Sequence, residues 1–484
     1  MRVVKLMVPA MACALFTVMV NAQVIEHPTS VKPIGFTYDY YKLGQPSTPE
    51  ASPSDVVPEP DAVASGGKGK AAPSCGCATS CDNCGGCDSC GCNGGCGCGC
   101  SCYLFGPDEA WSLQSHLFGD CGCGPTIGGW LQAGWHDGLV PMSFARDDLR
   151  SFGDVPNVLQ INQAYLYIER AAEGGDCCWD WGYRVDGVYG TEAQKMQAFG
   201  NPLQAGAIAA GTGSQRGWDN PWDNGVYGWA IPQAYIELAR GDWSIKAGHF
   251  YTLVGYEVIT SPDNFFYTHA YTMFNSEPFT HTGVIATHDT TENLDTYWGW
   301  TLGWDTGFDQ FDNGSSWLGG FSYSINDDLS LTYISTAGNL GFRGTQAYTH
   351  SIVMQAQMTN KLSYVLQSDF VHIGAGSPGA GAVPFGTGND QIGINQYMFY
   401  SLSDCLSIGG RMEWWKTDSI SYYEVTGGIN YKPHANITLR PELRYDWTPS
   451  RVNDLNGQRA YQPFGGNANV FDATTFSMDM IFTF

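Results

Sequence analysis

Two groups of side chains have the types and spacing to do chemistry. The first is a run of thiols: Cys75-Gly-Cys77, then Cys81-x2-Cys84-x2-Cys87-x2-Cys90-x-Cys92, then Cys96-x-Cys98-x-Cys100-x-Cys102. Repeated C-x2-C pairs can hold zinc or another soft metal through thiolates. No second pair stands at finger spacing, however, and no His lies between 75 and 102. An exported address favours oxidation. The run holds 11 cysteines, an odd number, so at least one pairs elsewhere or stays free. Cys121, Cys123, Cys177, Cys178 and Cys405 are available, and all of these thiols are disulfide candidates. A disulfide-rich plug or anchor is expected here, with no metal site and no cofactor.

The second group is charge set at every second residue. Arg440, Glu442, Arg444 and Asp446 share one side of an extended segment, and Ile437, Leu439, Leu443, Tyr445 and Trp447 take the other. Arg184 and Asp186, Lys246, Asp369, Arg411 and Glu413, and Glu424 fall on the polar side of similar alternations. Nucleophilic catalysis needs a nucleophile, a base and an orienting group at one place. No G-x-S-x-G elbow opens a helix here, and His350 and Ser351, adjacent on a strand, point to opposite faces. The chain does not read as an enzyme.

Period-two alternation over 9–11 residues is a strand with one apolar and one polar face. Sixteen such strands are expected, near 127–137, 158–170, 179–190, 226–239, 243–250, 281–289, 295–305, 316–325, 329–337, 348–358, 362–373, 391–402, 406–416, 421–431, 437–447 and 474–484. Connections after even strands are short, as at Arg240-Gly241-Asp242 and Asn326-Asp327-Asp328. After odd strands most are long: 138–157, 191–225, 251–280, 374–390 and 448–473. An even strand count with loop length segregated by parity is the pattern of an outer-membrane barrel. A sandwich also buries one face, but it has no reason to sort its loops this way. The fold class is therefore all-β: a transmembrane antiparallel up-and-down β-barrel of about 16 strands, with a Cys-rich irregular N-terminal extension.

The rest of the chain agrees with export. Residues 1–22 read as a signal peptide, with Arg2 and Lys5, an apolar stretch from Leu6 to Val20, and Val20-Asn21-Ala22 before the cut. Residues 23–74 are a Pro-rich linker, 75–123 the Cys-rich segment and 126–484 the barrel. Beyond Val20 no run approaches the roughly 18 apolar residues of a spanning helix. A net charge of −24 makes nucleic acid an unsuitable partner, because phosphate contacts need clustered Lys and Arg.

Several long stretches resemble an outer-membrane beta-barrel porin family (OmpL-like, the second beta-barrel porin family). They are Gly128 to His136, Asn162 to Tyr167, Trp181 to Pro202, Lys246 to Val284 (KAGHFYTLVGYEVITSPDNFFYTHAYTMFNSEPFTHTGV) and Trp298 to Asp312. The resemblance covers roughly 126–484 and leaves out the cysteine run. It implies a porin-like barrel in the cell outer membrane and supplies no substrate and no catalytic residues.

Sixteen strands enclose an aqueous channel. The expected function is passive diffusion of small hydrophilic solutes or ions; the alternative is a structural or adhesive envelope barrel held by its Cys-rich N-terminus. The pore-lining candidates are the eleven charged residues named above. With Asp180 and Asp479 the polar faces carry five bases and eight acids, which suggests weak cation preference. Loop 251–280, dense in Tyr and Phe, is the candidate constriction, with Glu257, Asp263 and Glu277 facing the opening. His249, His269, His281 and His288 lack ligand spacing. Expected partners are outer-membrane lipid and the solutes, with a homotrimer and disulfide-linked envelope proteins as further arrangements. The N-terminal segment is expected on the periplasmic side.

Overall fold

The computed structural model describes residues 110–118, 125–138, 152–153, 155–175, 178–198, 219, 224–310, 313–374, 390–417, 420–449 and 472–484. The signal, the linker and the cysteine run lie outside them. A short helix α1 (Leu113–Phe118) precedes sixteen strands: β1 (Thr126–His136), β2 (Gln160–Arg170), β3 (Asp180–Gly190), β4 (Gly228–Arg240), β5 (Trp243–Tyr251), β6 (Thr280–Thr291), β7 (Leu294–Thr301), β8 (Ser315–Asn326), β9 (Leu329–Asn339), β10 (Ala347–Gln357), β11 (Leu362–His372), β12 (Asp390–Ser403), β13 (Leu406–Thr417), β14 (Ile420–His434), β15 (Ile437–Trp447) and β16 (Asp472–Thr483). One-turn helices α2 (Ala193–Met196) and α3 (Tyr271–Asn275) lie in the second and third long loops.

Every strand pairs antiparallel with its sequence neighbours, and β1 pairs with β16 from Trp130↔Thr483 to His136↔Ser477. Closure leaves no strand edge with open hydrogen-bonding groups, the condition for backbone to survive in lipid. The alternation is inverted relative to a soluble protein. Trp181 is 56% exposed while Asp186 is 1% exposed. Likewise Phe476, Met478 and Met480 face out, and Ser477, Asp479 and Ile481 face in. An apolar outer face and a polar inner face suit a barrel wrapped in hydrocarbon.

The expected strands match to within a few residues, with one correction. The strand expected over 295–305 ends at Thr301. Gly303 (φ 103°) and Asp305 (φ 49°) turn the chain inward. Trp304, which continued alternation with Trp298 and Trp300 would place on the lipid side, is 1% exposed and donates its Nε1–H to Thr336 Oγ1 at 3.1 Å.

Candidate functional site

The 28-residue connection between β5 and β6, residues 252–279, does not lie outside the barrel. Phe265, Phe266, Tyr267, Ala270, Tyr271 and Met273 are each under 5% exposed. Loops ordinarily run over a surface because buried backbone needs hydrogen-bond partners. Here the inner wall supplies them, and its charges do the work of water.

The wall carboxylates take the loop amides. Glu442 on β15 accepts the N–H groups of Tyr267 (2.8 Å) and Thr268 (3.2 Å) and the Thr268 hydroxyl (2.5 Å). Glu413 on β13 accepts the N–H groups of Tyr271 (2.6 Å) and Thr272 (2.7 Å) and the Thr272 hydroxyl (2.5 Å). The wall guanidiniums take the loop carbonyls. Arg411 donates to Thr268 O at 2.6 Å, Arg440 to Ser261 O at 2.8 Å and Asn264 O at 2.6 Å, and Arg444 to His269 O at 2.5 Å. Each Arg also meets a buried carboxylate: Arg411 with Glu424 (2.7 Å) and Glu257 (2.7 Å), Arg440 with Asp479 (2.5 Å), Arg444 with Asp446 (2.9 Å). Charge-assisted bonds of this kind are shorter and stronger than neutral ones.

Shape agrees with charge. Three consecutive loop aromatics meet the wall at glycines: Phe265 over Gly409, Phe266 beside Gly428 and Tyr267 over Gly134. A side chain at Gly409 would occupy the place of the Phe265 ring. Phe265 and Phe266 then pack on Val353, Val365, Tyr397 and Phe399, which point inward from β10–β12.

The loop's two ends are tied down as well. Gln163 donates to Ile259 O at 2.6 Å, and Ser261 Oγ to Gln132 at 2.5 Å. Asp305 accepts the N–H groups of Phe279 (2.7 Å) and Thr280 (3.0 Å). Glu277 accepts from Gln367 at 2.5 Å, and Gln367 also donates to Asp369. Burial, and then the Asp369 carboxylate, push the Glu277 carboxyl well above the usual range. Glu257 goes the other way. Burial opposes its charge, but the Arg411 guanidinium outweighs burial and holds it at about 2.

The pore-lining candidates therefore face inward, but most do not border open water. Asp369, Arg411, Glu413, Glu424, Arg440, Glu442, Arg444 and Asp446 are covered by the loop or its anchors, each at 4% exposure or less. Glu257 and Glu277 likewise bind the wall. Open space remains beside β2–β9, as a cavity of about 420 Å³. Arg184, Lys246 and loop residue Asp263 border it, with Tyr235, Phe250, Tyr251 and Tyr297. Arg184 pairs with Asp186 and Glu169, both at 2.8 Å, and lies over Tyr167 at 4.5 Å. Lys246 lies 4.2 Å over the Tyr235 ring. Burial pushes the Asp263 carboxyl up to about 6.

The sequence reading missed Glu169, Arg170, Glu237, Asp242 and Asp289, which also border this cavity. Asp289 and Asp295 stand directly opposite across β6 and β7, both on the inner face. The visible signal was their parity with Thr287 and Tyr297.

The histidines serve local contacts. His249 meets Thr282 Oγ1 at 2.7 Å, His281 meets Thr252 Oγ1 at 3.0 Å, His288 meets Thr290 Oγ1 at 3.0 Å, and His269 stands 3.3 Å from Glu257. Of the disulfide candidates, Cys178 is an exposed free thiol, contrary to expectation, and sits just before β3 in a short turn. Cys405 is buried in the turn between β12 and β13. The others lie outside the described residues.

The family described as putative beta-barrel porin-2, OmpL-like, matches residues 125–484. No curated protein matches the chain. Among solved structures it is similar to the outer membrane channel DcaP of Acinetobacter baumannii, at 9% identity over 74% of this chain and 97% of that one, with a TM-score of 0.47. It is similar also to OmpT, an outer membrane protein of Vibrio cholerae (9% identity, 75% and 99% covered, TM-score 0.46), and to an anion-selective porin from Comamonas acidovorans (10% identity, 75% and 99% covered, TM-score 0.43).

Proposed function

Because the chain belongs to the beta-barrel porin-2, OmpL-like family and forms an outer-membrane porin channel, we propose that residues 252–279 are its constriction. Small hydrophilic solutes and ions pass between this loop and the wall of β2–β9. The observation that carries the reading is the double recognition of the loop backbone, amides by Glu413 and Glu442 and carbonyls by Arg411, Arg440 and Arg444. A segment merely resting at the mouth would have water for these partners.

The passage favours cations weakly. Its bordering charges are Glu169, Glu237, Asp242, Asp263 and Asp289 against Arg170, Arg184 and Lys246, an excess of carboxylate of the kind that selects cations. Asp263 on the loop faces a wall carrying Arg184 and Lys246, so a field runs across the opening. Reversal potential in a KCl gradient tests this: a modest cation-selective value is expected, and clear anion selectivity overturns it.

A further inference from the structure

The residues just before the barrel form a contact that no pore requires. Trp111 donates its backbone N–H to Asn436 Oδ1 at 2.8 Å, and Asn436 Nδ2 returns a bond to Trp111 O at 2.6 Å. Asn436 sits in the β14–β15 turn and also donates to Thr483 O at 2.7 Å. In α1, Gln114 accepts the N–H of Ile127 on β1 at 2.9 Å. This short segment thus holds the first strand, the last strand and a turn together.

Its position decides what it touches. The Trp111 ring stacks on Phe482 (centroids 6.4 Å apart, planes 18°) and tilts against Phe484 at 6.4 Å. Phe482 and Phe484 continue the outward row of Phe476, Met478 and Met480 on β16, the lipid-facing side. Trp111 therefore lies on the outside of the wall, at the short-turn end of the barrel, and 44% of it is still exposed. Leu117 and Phe118 are 55% and 52% exposed, and α1 buries no residue. Ser112, Gln114, Ser115 and His116 supply the polar part of the same segment.

The geometry points to residues 111–118 as an interfacial membrane contact: Trp111, Leu117 and Phe118 seat in the headgroup layer of the leaflet at the turn end, beside the β1–β16 seam. The occupant is phospholipid, because the segment is continuous with the lipid-facing row of β16. Trp suits that depth, since its ring is apolar and its N–H is polar. A short amphipathic segment with large exposed apolar side chains lies in the interface rather than across it.

The test is quenching of tryptophan emission in full-length protein reconstituted into vesicles of phosphatidylcholine brominated near the top of the acyl chains. The difference between the parent and Trp111→Phe isolates Trp111. Most of that component should be lost to the bromines and little to iodide in the water. A Leu117→Trp variant adds a reporter without touching the stacked ring, and its extra emission should behave alike. Quenching of both by iodide and not by bromine overturns the inference, provided each variant keeps the heat-modifiable migration of a folded barrel.

Discussion

Glu413 and Thr272 form a closed unit across the lumen. One carboxylate oxygen on β13 accepts both the backbone N–H (2.7 Å) and the hydroxyl (2.5 Å) of a single loop residue. The other oxygen accepts the N–H of Tyr271 at 2.6 Å. Three donors on one buried carboxylate leave that stretch of loop little freedom.

Glu413→Ala should loosen the loop without unfolding the barrel. Removing the acceptor leaves three buried donors of the loop unpaired, at a cost of about 1–3 kcal/mol each, which exceeds what thermal motion supplies. Single-channel records should gain frequent conductance fluctuations at an unchanged membrane-insertion yield. A record as quiet as the parent's would mean that Glu413 does not restrain the loop.

Gly409→Val tests shape rather than charge. The new side chain takes the place of the Phe265 ring, and overpacking of this sort costs about 1–3 kcal/mol. The variant should lose its heat-resistant migration at a lower temperature. Gly427→Ala is the control, since a Cβ there meets open space, and it should migrate as the parent does.

Asp263 makes the selectivity depend on pH. Its carboxyl is pushed up to about 6 by burial, so it gains charge between pH 5 and pH 7.5. Cation preference, read from reversal potentials, should increase over that interval. Asp263→Asn should flatten the curve, and a parent curve that is already flat would remove Asp263 from the opening.

Glu277 should make loop stability fall as pH rises. Burial beside Asp369 raises its carboxyl well above the usual range. A group that binds its proton more tightly when folded stabilises fully below its unfolded value, and that contribution fades as pH rises through the folded value. The temperature of heat modification should therefore fall between pH 5 and pH 9. Glu277→Gln, which resembles the protonated form, should make that slope shallower than the parent's.

Most of the fold was legible in the sequence because lipid outside and polar groups inside impose a two-residue period, and tight turns punctuate it. The pattern failed at Trp304, where alternation continued in sequence after Gly303 had turned the backbone inward. The charged side of each strand was legible too. What covers that side was not, because Glu442 meets Tyr267 and Thr268 across some 175 positions and no local spacing encodes such a meeting. Gly134, Gly409 and Gly428 read as ordinary strand glycines until the three aromatics at 265–267 are seated against them. Density of aromatic residues in one long loop was the one visible hint of its burial.

Single-channel conductance in planar bilayers is the most direct measurement, comparing full-length protein with a variant in which residues 258–272 are replaced by a short Gly-Ser linker. The parent should open in steady ohmic steps, and the variant should open to a clearly larger conductance, with Arg411, Glu413, Arg440, Glu442 and Arg444 now facing water. An unchanged conductance from a heat-modifiable, folded variant would contradict the constriction. An absence of openings from either protein would contradict passage of solutes altogether and favour a structural or adhesive barrel.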